Sequence, residues 1–274
     1  MHGGKRRGTW AVAALLAAAA LGPAAAGCPR TVRTPRPPPP PDTPAWTVMT
    51  YNVNFGLGGD ASTIDAIRAG GADVVFLQET TPEWEDALRA RLAGLYPYMA
   101  FRHGGGAGGL GVMSRLPFAD VAVLAPPSGW FPAWRLRLET PLGALQALVV
   151  HLHPPVSERG SYVSGYFSTP SVRLAEIAGY FEAGDALVAG DFNEDNGGRA
   201  VEFLESAGLR SVLPEFRPGA TTWRWGTVLG ELTEQLDHIV YASSRLEPLD
   251  ARVLDAGRSD HLPVVATFIA ARRP

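Results

Sequence analysis

Cysteine and lysine are almost missing from this 274-residue chain: Cys28 is the only cysteine and Lys5 the only lysine. A lone cysteine excludes an internal disulfide framework, so stability has to come from a hydrophobic core. Every basic residue after Lys5 is arginine, which reads as a composition bias and not as a nucleic-acid signal. No internal repeat is visible. A comfortable membrane span is also lacking, because the apolar run from Trp10 to Leu21 is too short and too broken for one. Positive charge is scarce over most of the length. Residues 1–44 hold six of the 24 basic residues and one of the 27 acidic ones, leaving 18 against 26 and a net charge of −8 for the remainder. Proteins that grip long DNA through phosphate contacts rely on basic patches, and this body does not supply them. It can still hold a divalent cation, which recruits phosphate locally.

What is present falls into three segments. Residues 1–27 run from Lys-Arg-Arg (5–7) through the apolar stretch to Gly22-Pro23 and Ala-Ala-Ala-Gly (24–27), the layout of a secretory signal peptide. Cys28 follows Ala-Ala-Gly as in a bacterial lipobox, where the cysteine is acylated, although Ala25 stands where that motif usually has leucine. The other reading is ordinary cleavage after Ala26. Both predict an exported protein, either a cell-envelope lipoprotein held by an acylated Cys28 or a secreted or periplasmic one. The paired Arg6-Arg7 also fits twin-arginine export. Residues 28–45 are rich in proline and arginine, including Pro37–Pro41, and read as an extended, semi-rigid spacer. Residues 46–274 are the main domain, and 46% hydrophobic residues over the chain is ample for its core.

Short apolar runs rich in Val, Leu and aromatics predict strands at 46–52, 74–79, 110–115, 144–152, 186–190, 236–241 and 262–269. Helices are expected between some of them. Ser62 is a candidate cap for one ending at Gly70-Gly71, and Thr81-Pro82 opens another with proline where a missing N–H costs nothing. Ser171 is a candidate cap for a third, with Val172, Ala175, Ile177 and Phe181 near one face. Residues 199–207 form a fourth, stopped by Gly208. Strands mixed with helices indicate layered α/β packing.

Polar residues recur at the ends of these runs: Thr-Tyr-Asn-Val (50–53), Gln-Glu-Thr (78–80), His-Leu-His (151–153), Gly-Asp-Phe-Asn (190–193), Leu-Asp-His (236–238) and Ser-Asp-His-Leu-Pro (259–263). Alone, each has an ordinary reading; an Asp or Asn at a strand end is often only a turn former. Together they match what phosphodiester hydrolysis demands. A water has to lose a proton, the phosphate needs charge stabilisation, and the leaving oxygen has to be bound or protonated. A divalent metal held by carboxylates meets several of these needs at once, and Mg²⁺ asks for only one or two carboxylates.

The six motifs, in this order over roughly residues 46–270, resemble those of the endonuclease/exonuclease/phosphatase superfamily, whose members include proteins like DNase I and the major AP endonucleases. The resemblance implies a DNase I-like fold, a four-layer α/β/β/α sandwich with helices outside. It also implies roles. Glu79 binds Mg²⁺ or Mn²⁺, with Asn52 supporting Glu79, the metal or the phosphate, and Asp260 joining the metal set. Asp191 orients or deprotonates the attacking water, and Asn193 contacts the phosphoryl oxygens. His261 meets the scissile phosphate as an imidazolium or as a general acid or base, while Asp237 orients it or serves a second metal. A neighbouring carboxylate raises a histidine's pKa and fixes its ring, so that pairing is physically sensible. His151 assists the leaving oxygen, with His153 the alternative if the register differs and His238 a weaker candidate. Arg173 contacts phosphate or braces the site, Arg115 is structural, and Trp223 of Thr-Thr-Trp (221–223) lies near substrate.

The resulting expectation is a metal-dependent phosphodiester hydrolase acting as a monomer, an exported nuclease with nucleic acid as its partner. An alternative is a phosphodiesterase or phosphatase for phospholipid headgroups or small phosphate esters. A third reading is a catalytically silent surface binding module, against which the intact set of polar motifs argues. Trp130-Phe131, residues 154–170 and Trp223-Arg224-Trp225 are candidates for the edge of the cleft, where aromatics stack on bases or enter lipid headgroups.

Overall fold

The computed structural model describes residues 32–272 except Pro38, Glu158 and Leu229. The signal segment and the Cys28 reading lie outside the described residues. One sheet contains β1 (Trp46–Asn52), β2 (Val74–Gln78), β3 (Tyr98–Arg102), β4 (Leu110–Ser114), β13 (Leu246–Val253) and β14 (Val264–Ala270). Their order is β13-β14-β1-β2-β4-β3. The other contains β5 (Phe118–Leu124), β6 (Ala133–Leu138), β7 (Leu145–His151), β8 (Asp185–Asp191), β9 (Leu209–Ser211) and β12 (Asp237–Ala242), in the order β5-β6-β7-β8-β12-β9. A separate two-stranded hairpin is formed by β10 (Trp223–Thr227) and β11 (Gly230–Glu234).

Period-two alternation explains the layering, because successive strand residues point to opposite faces. Val48, Val74, Phe76, Ala147, Val149, Leu187 and Ala189 face inward into one core shared by both sheets. Their neighbours Met49, Tyr51, Val75 and Leu77 face out onto helices α1 (Ala61–Gly70) and α2 (Pro82–Leu92), through Ile64, Ile67, Trp84 and Leu88. On the far side Leu148, Val150 and Val188 pack against α4 (Pro170–Tyr180) and α5 (Arg199–Ser206), through Ile177, Tyr180 and Leu204. Two shorter helices, α3 (Tyr162–Ser168) and α6 (Leu213–Phe216), complete the set. The result is the four-layer sandwich implied by the resemblance. Strands buried on both faces read as continuous apolar runs, which is why β1, β2, β4, β7, β8, β12 and β14 are visible in the sequence.

Several local expectations are corrected. The cap of α1 is Asp60, whose carboxylate accepts from the Thr63 N–H, while Ser62 lies inside the helix and donates its hydroxyl to Asp60. Helix α4 begins after Thr169 with Pro170 in its first turn, and Ser171 is already helical. Its buried stripe is Arg173, Glu176, Ile177 and Tyr180, not the apolar set expected; two ionisable side chains sit on the inward face. The described part of the proline-rich spacer has no helix or strand, turns at 41–43, and is fastened to the body. The Arg33 guanidinium pairs with Glu215 at 2.7 Å and that of Arg36 with Glu247 at 2.7 Å. Their N–H groups donate to the carbonyls of Glu215 and Leu249.

Register brings the motifs together. β1 and β2 are parallel, with Asn52 opposite Gln78. β7 and β8 are parallel, with His151 opposite Asp191. β12 runs antiparallel to β8 and starts with Asp237 opposite Asp191. Four strands therefore end, and a fifth begins, at the same end of the sandwich.

Candidate active site

Gly190 shows why this end can close tightly. Its φ is 152°, and a Cβ there would lie 1.8 Å from the carbonyl oxygen of Val150 on the neighbouring parallel strand. Only glycine allows that approach, and the next residue, Asp191, emerges at the centre of the site. One oxygen of Asp191, Oδ1, accepts from the Asn193 N–H at 2.8 Å. The other, Oδ2, is ringed by three nitrogens: Asn52 Nδ2 at 3.0 Å, His261 Nε2 at 3.5 Å and His151 Nε2 at 3.6 Å. All of these residues are buried.

Asn52 links the two halves of the site. Its Nδ2 also donates to Glu79 Oε1 at 3.0 Å, and its Oδ1 accepts from the Asn54 N–H at 3.1 Å. Glu79 Oε2 accepts from the Phe55 N–H. Asn54 Nδ2 donates in turn to Asp260 Oδ1 at 2.9 Å, and the Trp223 indole donates to Asp260 Oδ2 at 3.1 Å. Among the described residues, the only non-glycine positions with positive φ are Asn54 at 61°, Glu79 at 64° and Asn193 at 52°. All three are in this cluster. Left-handed backbone is uncommon outside glycine, and strain of this kind gathers where side chains must be aimed.

His261 and Asp237 form a buried pair, Nδ1 to Oδ2 at 2.9 Å. Thr222 holds the aspartate in place: its hydroxyl donates to Asp237 Oδ2 at 2.7 Å and accepts from the N–H groups of Leu236 and Asp237. Burial alone would lower the imidazole's pKa, but the carboxylates of Asp237, Asp191 and Asp260 outweigh it and push it up to about 10. The ring is therefore held as a cation at neutral pH. Burial likewise raises Asp237, and the His261 cation opposes that shift. Asp237 Oδ1 is buried without a partner.

The remaining expected residues divide cleanly. His151, not His153, faces Asp191; its Nδ1 lies 3.1 Å from the Ala107 carbonyl. His153 is turned aside, its Nδ1 2.7 Å from the Pro154 carbonyl and its N–H donating to Glu176. His238 is buried between Ser211 and the Glu194 carbonyl, and burial lowers its pKa to about 4, so it serves the core as a neutral ring. Of the two readings for Arg173, phosphate contact or brace, its hydrogen bonds are those of a brace. Its buried guanidinium is committed to Glu194 at 3.0 Å, to Thr169 and to the His153 carbonyl. Arg115 pairs with Asp73, as a structural arginine should. Asn193 sends Nδ2 to the Leu152 carbonyl, which leaves its second amide hydrogen uncommitted to that bond. Asn54 and Thr222 carry more of the site than their sequence positions suggested. The alternation Asn52-Val53-Asn54 was the available signal for the first, and the Thr-Thr-Trp element for the second.

The cluster fits a divalent cation. Glu79 after β2, Asp191 at the end of β8, Asp237 at the start of β12 and Asp260 in the loop before β14 bring four carboxyl groups to one end of the sandwich, beside the cation of His261. Among the described residues no salt bridge reaches Glu79 or Asp260. Asp191, Asp237 and His261 also bring candidate ligand atoms within 4.8 Å of one another, a set that can hold a metal only with the His261 ring deprotonated. Oxygen donors of this kind suit a hard divalent cation.

Comparison with known proteins agrees with this geometry. Residues 49–261 match the Endonuclease/Exonuclease/phosphatase family. Among solved structures, an endonuclease/exonuclease/phosphatase from Beutenbergia cavernae DSM 12333 is similar at TM-score 0.63 and 20% identity, covering 83% of this chain and 72% of that one. The human Nocturnin catalytic domain with bound sulfate anion is similar at TM-score 0.62 and 20% identity, covering 83% and 94%. D. rerio TDP2 complexed with single strand DNA product is similar at TM-score 0.60 and 19% identity, covering 82% and 98%. At these identities the likeness is one of fold. No curated protein matches the chain in sequence.

Proposed function

Because the chain belongs to the endonuclease/exonuclease/phosphatase family, we propose that it is a metal-dependent phosphodiester hydrolase, an exported nuclease working as a monomer. The observation that carries the reading is the convergence of Asn52, His151 and His261 on Asp191 Oδ2 beside Glu79. Glu79, with Asn52 hydrogen-bonded to it and Asp260 held by Asn54, would hold Mg²⁺ or Mn²⁺. A bound cation of this kind offsets the phosphate's charge and polarises its P–O bonds.

The chain's own residues supply the rest. Asp191 Oδ2 accepts a proton from the attacking water, and the Asn193 N–H holds the other carboxylate oxygen so that Oδ2 faces the site. His261, charged through Asp237, donates Nε2–H to a phosphoryl oxygen and stabilises the charge that grows in the transition state. His151 Nε2 serves the leaving oxygen. Trp223 and Asn54 fix Asp260 from opposite sides.

A second reading, hydrolysis of phospholipid headgroups or small phosphate esters, is favoured by charge. The body carries −8, and Arg173, Arg224 and Arg258, the last two close to Trp223 and Asp260 in the sequence, are each paired with a carboxylate. A substrate panel separates the two. Purified protein is offered plasmid, single-stranded DNA, RNA, phosphoinositides, sphingomyelin and bis(4-nitrophenyl) phosphate with Mg²⁺ or Mn²⁺. Nucleic-acid cleavage supports the nuclease. Turnover of lipid or small esters alone moves the protein to the second reading, and no turnover of any of them overturns both. Export and a Cys28 lipid anchor are tested by fractionating cells that express the Cys28→Ala chain. Release from membranes is expected, and unchanged membrane association removes the anchor.

A further inference from the structure

The two histidines of His-Leu-His each lie against an aromatic ring from one short loop. Phe131 stacks on His151 with ring centroids 4.3 Å apart and planes 23° from parallel. Trp130 packs on His153 at 4.2 Å. Phe131 is itself well fixed: its carbonyl accepts from the Tyr180 hydroxyl at 2.7 Å, and its ring is nearly buried. The opposite constraint on His151 comes from the other sheet. The glycine-rich loop Gly104-Gly105-Gly106-Ala107-Gly108-Gly109 joins β3 to β4 and brings the Ala107 carbonyl to 3.1 Å from His151 Nδ1.

That loop is shaped by close approach. A Cβ on Gly109 would lie 1.8 Å from the Thr80 carbonyl oxygen, and one on Gly104 would lie 2.7 Å from the Gly108 backbone. A Cβ on Gly108 would touch the Phe131 ring at 3.4 Å. The Gly109 carbonyl accepts from the Thr80 N–H, next to Glu79. The loop therefore ties the Glu79 corner of one sheet to the His151 corner of the other.

The geometry points to Phe131 and the Ala107 carbonyl as positioning elements for His151, setting the plane of the imidazole and its tautomer. A carbonyl only accepts hydrogen bonds, so Nδ1 keeps its proton in both charge states of the ring, and Nε2, which faces Asp191 Oδ2 at 3.6 Å, is the nitrogen that takes up a second proton and hands it to the leaving oxygen. The stacked ring keeps the imidazole from rotating about its χ2, a broad and otherwise soft torsion. Phe131 acts through His151, the ring on which it stacks. The catalytic part of this inference rests on the role proposed for His151.

The test is a double-mutant cycle with a leaving-group series. Phe131→Leu, His151→Ala and the double variant are compared on phosphodiesters whose leaving groups range from 4-nitrophenol to an alkanol. Melting temperatures check that each variant is folded. If Phe131 positions a residue that assists the leaving oxygen, Phe131→Leu lowers kcat about tenfold for the alkanol ester. It changes kcat less than about twofold for the 4-nitrophenyl ester, leaves KM unchanged, and adds no further loss in the His151→Ala background. An equal loss for every leaving group, or the same loss with and without His151, overturns the inference. A second readout stands apart from turnover. ¹⁵N spectra of the His151 ring should show a protonated Nδ1 in the unmodified protein, whether or not Nε2 is protonated too, and a mixture of Nδ1–H and Nε2–H tautomers of the neutral ring in Phe131→Leu. An unchanged tautomer in the variant, or an Nε2–H tautomer in the unmodified protein, overturns the positioning claim. If the spectra behave as expected while no phosphodiester is hydrolysed, the positioning stands and the proposed function fails.

Discussion

His261 and Asp237 are joined by a buried 2.9 Å contact between Nδ1 and Oδ2, which leaves the opposite ring nitrogen aimed at Asp191. The aspartate keeps that ring charged, and a charged ring is what a phosphate needs. Asp237→Asn preserves size and removes the charge. It should lower kcat at least about 10²-fold, the scale of losing one preorganised donor at a developing charge. The sign of the pH effect follows from the raised pKa. His261 is protonated below about 10 in the intact site, and without the carboxylate its pKa drops. The alkaline limb of the rate profile should therefore move to lower pH. A pH–rate profile of the variant checks this, and an unmoved limb contradicts the role given to the pair.

His238 makes a prediction about stability. Burial lowers its pKa from 6.5 to about 4. The unfolded chain then binds a proton at higher pH than the native protein, so stability is lost as pH falls from about 6.5 toward 4. The native penalty is on the order of 3 kcal/mol at the acid end. His238→Gln should flatten this slope, as measured by denaturant unfolding at pH 7.5 and pH 4.5 in the presence of a chelator. The same slope in both proteins would place the acid sensitivity elsewhere.

Gly190→Ala should destabilise the protein by at least about 2 kcal/mol, because the new methyl group meets the Val150 backbone and not a movable side chain. Thermal unfolding reads this directly. A melting temperature equal to that of the unmodified protein would mean that β7 and β8 separate more easily than their register suggests.

The spacer gives a smaller effect. Arg33 is about two-fifths exposed while its partner Glu215 is buried and also accepts from the Tyr241 hydroxyl. Arg33→Ala should cost about 0.5–1 kcal/mol, the modest value of a partly solvated pair. Denaturant titration measures it, and no change would make the docking of this segment energetically idle.

The strands that carry the motifs were legible because both of their faces are buried, so Val74–Leu77 and Ala186–Ala189 read as unbroken apolar runs. β5 was not, since most of its residues are exposed or half-exposed at a sheet edge, and β13 was not, since Pro248 and Asp250 interrupt it at a bulge. The inward face of α4 was misjudged because Arg173 and Glu176 occupy it, and a periodicity search looks for apolar residues there. Asp191, Glu79 and His261 were brought forward by their motifs, and the fold places them at one end of the sandwich. Asn54, which reaches Asp260 across 206 residues, and Phe131, which lies on His151, act through contacts that no local pattern encodes.

The most direct test of the account is steady-state hydrolysis of a phosphodiester by the purified protein and its Asp191→Asn and Glu79→Gln variants, with and without chelator. The account predicts turnover that a chelator abolishes and that Mg²⁺ or Mn²⁺ restores. Asp191→Asn should be inactive at any metal concentration, and Glu79→Gln should need far more metal. Chelator-resistant turnover, or a fully active Asp191→Asn variant, would contradict it.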